Sequence, residues 1–135
     1  MAAANYLLDT HCLIWFQEDS PKIPEQVMKL IQQPDNVIFF SQISLFEISI
    51  KQKIGKLPAF YATIEEIYAQ AVKDGFTFLP IQNHHIYNYN KIPLLKDHRD
   101  PFDRLLIATA LEERAIVLSA DEQLRLYADI VNVVW

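Results

Sequence analysis

The chain of 135 residues has little cysteine and little glycine: one cysteine, Cys12, and two glycines, Gly55 and Gly75. A single cysteine cannot form a disulfide within the chain, so the sequence indicates a fold held together by its core and a reducing, cytoplasmic setting. Two glycines are too few for a glycine-rich phosphate-binding loop, which argues against P-loop and dinucleotide-binding folds.

Long apolar segments and blocks of charge are also missing. No apolar run approaches the ~18 residues that a membrane span requires, and the opening MAAANYLLDT lacks the basic and apolar regions of a secretory signal. We therefore expect no membrane partner. The net charge of −5 argues against general electrostatic attraction to nucleic acid, although it permits a nucleic-acid enzyme whose acidic site binds cations.

Short apolar runs are instead spread along the whole chain, and hydrophobic residues make up 51% of it. We predict one domain over residues 1–135, because no linker or repeat interrupts the pattern. Expected strands cover residues 5–10, 35–40, 76–80, 115–121 and 130–134. Expected helices cover residues 12–19, 20–33, 63–75, 82–92, 99–114 and 121–127, with one more running from Ser41 to about residue 54. This alternation predicts an α/β fold with a parallel sheet covered on both faces.

One glutamate lies in an unusually apolar segment, SQISLFEISIKQK. In a helix, Ile43, Glu47, Ile50 and Ile54 form a single stripe, which is apolar except for the carboxylate. A buried carboxylate is costly unless it is paired or binds a metal ion. We therefore expect Glu47 to face inward towards a metal.

Three further acids are predicted to lie at the same place. Asp9 ends the first strand and Asp121 follows the strand AIVLS, so both belong to the carboxyl edge of the sheet, where ligand sites form. Glu47 lies in the second turn of a helix that leaves this edge, and Asp103 lies in the first turn of another. Four like charges at close range repel each other, and hard divalent cations with a preference for oxygen ligands would relieve that repulsion.

Each acid also has a structural interpretation that the sequence leaves open. Asp9 and Asp121 are suitable N-caps for the helices that follow them. Glu47 is spaced for an ion pair with Lys51, four residues on. Asp103 favours the helix dipole at its position. The joint placement of the four acids, rather than any one of them, favours a metal site.

Four segments resemble the sequence motifs of the PIN domain, and more narrowly of VapC-type toxins from type II toxin–antitoxin pairs. They are YLLDTHCLIW, SQISLFEISIKQKIGKL, HRDPFDRLLIATAL and IVLSADEQL, in family order over residues 6–126. The resemblance implies a three-layer α/β/α fold with a mostly parallel central sheet of four to five strands. It also implies a ribonuclease that depends on Mg²⁺ or Mn²⁺ and that hydrolyses phosphodiester bonds.

The resemblance assigns catalysis and metal binding to the same four acids, Asp9, Glu47, Asp103 and Asp121. Thr10 and Ser119 match small hydroxyl positions beside the acids, where they could hydrogen-bond a carboxylate. Asp100 would be an added acid near the site, either supporting the ligands or capping the helix, and the proline after it favours the cap. The implied partners are RNA, a cognate antitoxin protein and a second copy of the chain.

Basic residues near the acids are candidate RNA contacts, because phosphates are bound mainly by Lys and Arg. They are Lys51 and Lys53 beside the Glu47 helix, and Arg99 and Arg104 around Asp103; ordinary solvated surface is the other interpretation of each. Two apolar or aromatic segments, CLIWF and FYATIEEIY, are candidate contact surfaces for a dimer, with core packing as the alternative.

Two other functional classes would also explain an Asp at the end of the first strand: proteins that form a phosphoaspartate and non-catalytic binding modules. A phosphatase of the dehalogenase type requires a second Asp two residues after the first, where this chain has His11, and a receiver domain does not explain Glu47. A degenerate PIN fold that acts only by binding a protein partner is the main alternative, although the intact set of acids argues against it. Zinc is poorly supported because the histidines lack a compact ligand spacing.

Overall fold

The structure, a computed structural model, describes residues 3–95, 98 and 100–135. Its strands are β1 (Asn5–Leu8), β2 (Val37–Ser41), β3 (Thr77–Leu79), β4 (Ile116–Leu118) and β5 (Val133–Val134). Its α-helices are α1 (Thr10–Gln17), α2 (Glu25–Gln32), α3 (Gln42–Lys53), α4 (Ile64–Lys73), α5 (Asn83–Tyr89) and α6 (Pro101–Glu113), and a 3₁₀ helix covers Leu124–Tyr127. Within these ranges, no helix combines the length and the hydrophobicity that crossing a bilayer would require.

The strands form one parallel sheet in the order β3-β2-β1-β4-β5. β1 lies at its centre, where Leu7 is in register with Phe39 of β2 and with Val117 of β4. Each crossover between parallel strands passes through helices, as parallel pairing requires. The predicted α/β fold with a parallel sheet is confirmed.

Two hydrophobic cores lie on opposite faces of the sheet, because successive side chains of a strand point to opposite sides. Leu8 and Leu118 pack into one core together with residues of α1, α2 and α4. Leu7 and Val117 pack into the other core, against residues of α6. Helix α3 contributes to both. The layers are therefore helices, sheet and helices, as the sequence led us to expect.

Several helix boundaries differ from the prediction, and three of the differences have a local cause. Helix α1 begins at Thr10, two residues early, because Asp9 supplies the N-cap. Helix α2 begins only at Glu25, after the extended Pro24. The helix expected over 121–127 is a 3₁₀ helix, in which the spacing of three residues places Leu124 and Tyr127 on the same, buried side.

The apolar stripe on the Glu47 helix is buried at one end only. Ile43 is buried, Ile50 is partly exposed, and Ile54 is 59% exposed because it lies beyond the end of α3. The buried face of α3 instead consists of Ile43, Ser44, Leu45 and Ile48. The stripe is therefore buried at Ile43, partly buried at Glu47 and Ile50, and open to solvent at its C-terminal end.

The two segments considered as dimer surfaces behave differently. In CLIWF, the side chains of Cys12, Leu13 and Ile14 belong to the core, so this helix offers little free apolar surface. In FYATIEEIY, Tyr61 and Tyr68 are exposed, Tyr61 to 86%, while Phe60 is buried. A homodimer remains a prediction.

Helix α4 begins with a capping box, for which a Thr followed three residues later by a Glu is the sequence signature. The Thr63 hydroxyl accepts from the Glu66 N–H at 3.1 Å, and the Glu66 carboxylate accepts from the Thr63 N–H at 2.9 Å. We expect Thr63→Ala to lower the free energy of unfolding by about 1 kcal/mol, because it removes a hydrogen-bond acceptor from the first turn. Urea unfolding at neutral pH measures the change. Thr63→Ser keeps the hydroxyl and should stay close to the unsubstituted protein; equal losses in both variants would contradict the capping role.

Candidate functional site

Asp9 lies at the carboxyl end of the central strand and is only 8% exposed. One carboxylate oxygen accepts from the His11 backbone N–H at 2.8 Å, and the other accepts from the Ser119 hydroxyl, which follows β4. Burial raises the pKa of Asp9, the two hydrogen bonds oppose that rise, and nearby Glu47 adds to it. The residue is thus both the N-cap of α1 and a desolvated acid at the edge of the sheet.

Glu47 projects from α3 towards the same edge, and its side chain is 16% exposed. The Thr10 hydroxyl donates to one of its oxygens at 2.6 Å, and the Lys51 ammonium lies 3.2 Å from the other. Thr10 Oγ1 also lies 3.0 Å from the hydroxyl of Ser44. The ion pair that the sequence left open is therefore present, alongside a hydrogen bond from one of the two expected hydroxyls.

Asp103 lies in the first turn of α6 and is held by His98, for which the sequence did not predict a contact with an acid. Nε2 of the buried His98 lies 3.0 Å from the Asp103 carboxylate, while Nδ1 lies 2.7 Å from the Tyr127 hydroxyl. Burial, together with repulsion from neighbouring acids, raises the pKa of Asp103 to about 6, although the His98 hydrogen bond opposes the rise. No periodic pattern in the sequence links these three residues.

Asp100 caps α6, whereas Asp121 closes a turn just before the 3₁₀ helix. The exposed Asp121 carboxylate accepts from the Gln123 N–H at 2.9 Å, and the Asp121 N–H donates to the Ser119 hydroxyl at 3.0 Å. Asp100 accepts from the first N–H groups of α6, those of Phe102 and Asp103, at 2.8 and 3.2 Å. The cap that we favoured for Asp100 is what the geometry provides.

The acids are close enough to affect one another's ionisation. Asp100, Asp9 and Asp121 each raise the pKa of Asp103, and Glu47 raises that of Asp9. In the described ranges, however, no three His, Cys, Asp or Glu side chains are arranged to hold a metal ion as they stand. Their oxygens are engaged by protein donors instead. The donor set, which consists of carboxylates under mutual repulsion, suits a hard divalent cation chemically.

A pocket of about 250 Å³ opens directly beside these acids. It is lined by Asp9, His11, Trp15, Ala120 and Asp121. A larger cavity of about 780 Å³ lies elsewhere, beside the amino ends of β1 and β2, and is lined mainly by apolar and amide side chains. We place the candidate site at the smaller pocket, because ligand sites of parallel sheets form at the carboxyl ends of the strands.

The basic residues proposed as RNA contacts have different environments. Lys53 is exposed and Lys51 pairs with Glu47. Arg104 is 4% exposed, and its guanidinium donates to the carbonyls of Ile92 and Pro93, so its candidacy as an RNA contact was wrong. Arg99 lies outside the described residues.

The raised pKa of Asp103 predicts a dependence of stability on pH. A carboxyl group that ionises at about pH 6 when folded, but near its ordinary value of 3.8 when unfolded, costs stability as the pH rises through that window. In metal-free buffer at pH 7.5, we expect Asp103→Asn to stabilise the protein by about 1–2 kcal/mol, after allowing for the altered His98 contact.

Thermal unfolding at pH 7.5 and pH 4 measures this effect, and the gain should vanish at pH 4, where Asp103 is protonated in the folded state. Asp129→Asn, which changes an exposed acid, is the matched control and should have little effect at either pH. A destabilised Asp103→Asn at pH 7.5 would contradict the repulsion inferred here.

Three solved structures with similar folds are those of VapBC2, VapBC-1 and FitAcB. A chain of VapBC2 from Rickettsia felis, bound to a DNA fragment from their promoter, matches with a TM-score of 0.70 and 14% identity, covering 97% of this chain and 98% of that one. VapBC-1 from nontypeable Haemophilus influenzae matches with a TM-score of 0.66 and 19% identity, covering 96% of each chain. FitAcB from Neisseria gonorrhoeae matches with a TM-score of 0.59 and 18% identity, covering 95% of each chain.

These identities are low, so the three structures establish a shared fold. No curated protein matches the chain in sequence. The sequence model of the PIN domain does match, and its match extends over residues 6–130, which include all four candidate acids. PIN domains are generally nucleases that use divalent metal. This chain belongs to the PIN domain family.

Proposed function

We propose that this protein is an endoribonuclease that depends on Mg²⁺ or Mn²⁺ and serves as the toxin of a toxin–antitoxin pair. Asp9, Glu47, Asp103 and Asp121 are its metal-binding and catalytic acids. The observation that carries the proposal is the gathering of carboxylates at the carboxyl edge of the sheet, where burial, together with repulsion from Asp100, Asp9 and Asp121, raises the pKa of Asp103 to about 6. Such repulsion is unfavourable in the protein alone and is relieved by a bound cation.

A divalent cation held by these carboxylates would supply the Lewis acidity that activates water and offsets the charge of the phosphodiester. The other residues prepare the acids for that role. Ser119 and Thr10 hydrogen-bond Asp9 and Glu47, which fixes the direction of each carboxylate. His98 does the same for Asp103. Partners of this type commonly orient metal ligands and tune their affinity.

Lys51 has a second role in this proposal. Its ammonium lies 3.2 Å from Glu47, so it partly neutralises that acid in the absence of a cation. Once a cation takes over the charge of Glu47, the ammonium becomes available for a phosphate oxygen of the RNA. Lys53, two residues after Lys51, is exposed and adds positive charge on the same helix. These two lysines offer RNA a local attraction that the net charge of −5 does not.

The proposed protein partner is an antitoxin. The VapBC and FitAB structures that share this fold are complexes of that kind, and they are the support for the partner. An antitoxin segment that enters the acidic edge would have to carry positive charge, because the carboxylates there repel anions. A second copy of the chain is a further proposed partner.

The alternative is a PIN fold that has lost catalysis and acts only by binding a protein. The ion pair between Glu47 and Lys51 favours it to some degree, because an internal ammonium supplies part of the charge that a metal would supply. The two proposals differ in one observable, namely metal-dependent cleavage by the isolated chain.

We expect the purified protein, freed of any bound partner, to cleave RNA with Mg²⁺ or Mn²⁺ and to lose this activity with EDTA. Asp9→Asn should abolish cleavage, because it removes a charged ligand at the centre of the site. Ser119→Ala should lower the rate by about 10–100-fold, since it removes the hydroxyl that orients Asp9. Labelled RNAs, both structured and unstructured, provide the assay.

Asp129→Asn is again the matched control, because it removes an exposed carboxylate outside the site and should leave cleavage unchanged. Circular dichroism checks that each variant is folded. A folded protein that cleaves none of the RNAs with either metal would favour the binding module, and full activity in Asp9→Asn would refute the assignment of the site.

A further inference from the structure

Two residues that line the pocket beside Asp9 and Asp121 have no role in the proposed chemistry. Asp9, Ala120 and Asp121 line this 250 Å³ pocket, and so do His11 and Trp15. The two rings lie 5.7 Å apart between centroids, at an angle of 44°. His11 is an exposed residue of the first turn of α1, and Trp15 follows one helical turn later on the same face.

Trp15 also contacts residues that do not line the pocket. Its ring lies 5.7 Å from that of Trp135 near the end of the chain, and the Lys22 ammonium lies 5.3 Å from its centroid. Packing against a second tryptophan therefore restricts the Trp15 ring, and a positive charge lies beside that ring. A ring whose movement is already restricted loses little conformational entropy when a ligand stacks on it.

This combination of groups matches the chemistry of a nucleotide. Aromatic rings and histidine stack on unpaired bases of single-stranded RNA, and a nearby ammonium attracts the accompanying phosphate. We propose that the pocket lined by His11 and Trp15 is a binding subsite for one unpaired base of the RNA, next to the phosphodiester that the acids cleave. The inference rests on the proposed nuclease function and adds a residue pair that positions the substrate.

The size and composition of the pocket favour a single base over a larger occupant. Pockets that enclose whole small-molecule ligands usually measure ~300–1,000 Å³, so this one is suited to a fragment of a longer chain. The carboxylates of Asp9 and Asp121 in its lining repel a free phosphate, whereas a base presents donors and a π-face. Stacking is tolerant of sequence, so the subsite would select unpaired RNA rather than a particular base.

A cleavage assay with abasic substrates tests the subsite. Once the cleavage position in an RNA is mapped, the bases around it are replaced one at a time by abasic residues. For the unsubstituted protein, loss of the base that fills the pocket should lower kcat/KM by about 5–100-fold. In Trp15→Ala, and in His11→Ala, whose exposed side chain is not needed for folding, the same abasic residue should have a much smaller effect.

Tyr87→Ala is the matched control, because Tyr87 is an exposed aromatic residue on α5 that does not line the pocket. This variant should respond to the abasic residues as the unsubstituted protein does. If every abasic residue has the same effect in Trp15→Ala, His11→Ala and the unsubstituted protein, the subsite is refuted.

A binding measurement separates this inference from the proposed function. Trp15 and Trp135 are the two tryptophans of the chain, so Trp135→Phe leaves Trp15 as the sole fluorescent tryptophan. With Ca²⁺ present to offset the acidic charge, a short unpaired oligoribonucleotide should quench Trp15, and the same backbone without bases should not. Equal quenching by both, or quenching by neither, refutes the subsite. Quenching without cleavage would retain the subsite and refute the nuclease, and cleavage without quenching would do the reverse.

Discussion

The removal of the Asp9 carboxylate from water is the constraint on which the rest of the site depends. Asp9 ends the central strand, so it is enclosed by the neighbouring strands and by the helices that follow them. A desolvated carboxylate needs hydrogen-bond donors, and the sheet order supplies them from two directions. Ser119 follows the adjacent β4, and the His11 N–H begins the helix that Asp9 itself caps. The parallel topology therefore both desolvates the Asp9 carboxylate and supplies two hydrogen bonds that partly offset the cost of that desolvation.

The remaining acids are compensated in three chemically different ways. Glu47 has a hydroxyl and an ammonium, Asp103 has an imidazole, and Asp121 has one backbone N–H, that of Gln123. None of these arrangements removes the repulsion altogether, since burial and the neighbouring acids still raise the pKa of Asp103 to about 6. Each is also weaker than a divalent charge, so the cation that we propose would still gain from binding at these carboxylates.

Local signals in the sequence predicted the helices, the strands and the candidate acids. The direction of individual side chains and the contacts between distant residues depend on tertiary packing, which those signals do not encode. The capping box at Thr63 and the cap at Ser41 depend on residues close in the chain, so spacing alone reveals them. Arg104 follows Asp103 directly, yet the next residue of a helix is turned by about 100° and here points into the protein. The contact of His98 with Tyr127 joins residues 29 positions apart, a separation that no helical or strand period encodes. Charge patterns thus identify which residues carry chemistry without fixing which way they face.

Cavity volume and topology point to different places on this molecule, and the chemistry agrees with topology. The cavity of about 780 Å³ adjoins the amino ends of β1 and β2, and its one ammonium, that of Lys29, already pairs with Glu25 on the same helix. The pocket of about 250 Å³ adjoins the carboxyl ends, where a buried acid and two aromatic side chains meet. Volume measures only the space that packing leaves, whereas the ends of parallel strands determine where successive helices begin and where polar side chains converge. A site that must hold both charge and a base is therefore expected at the smaller pocket.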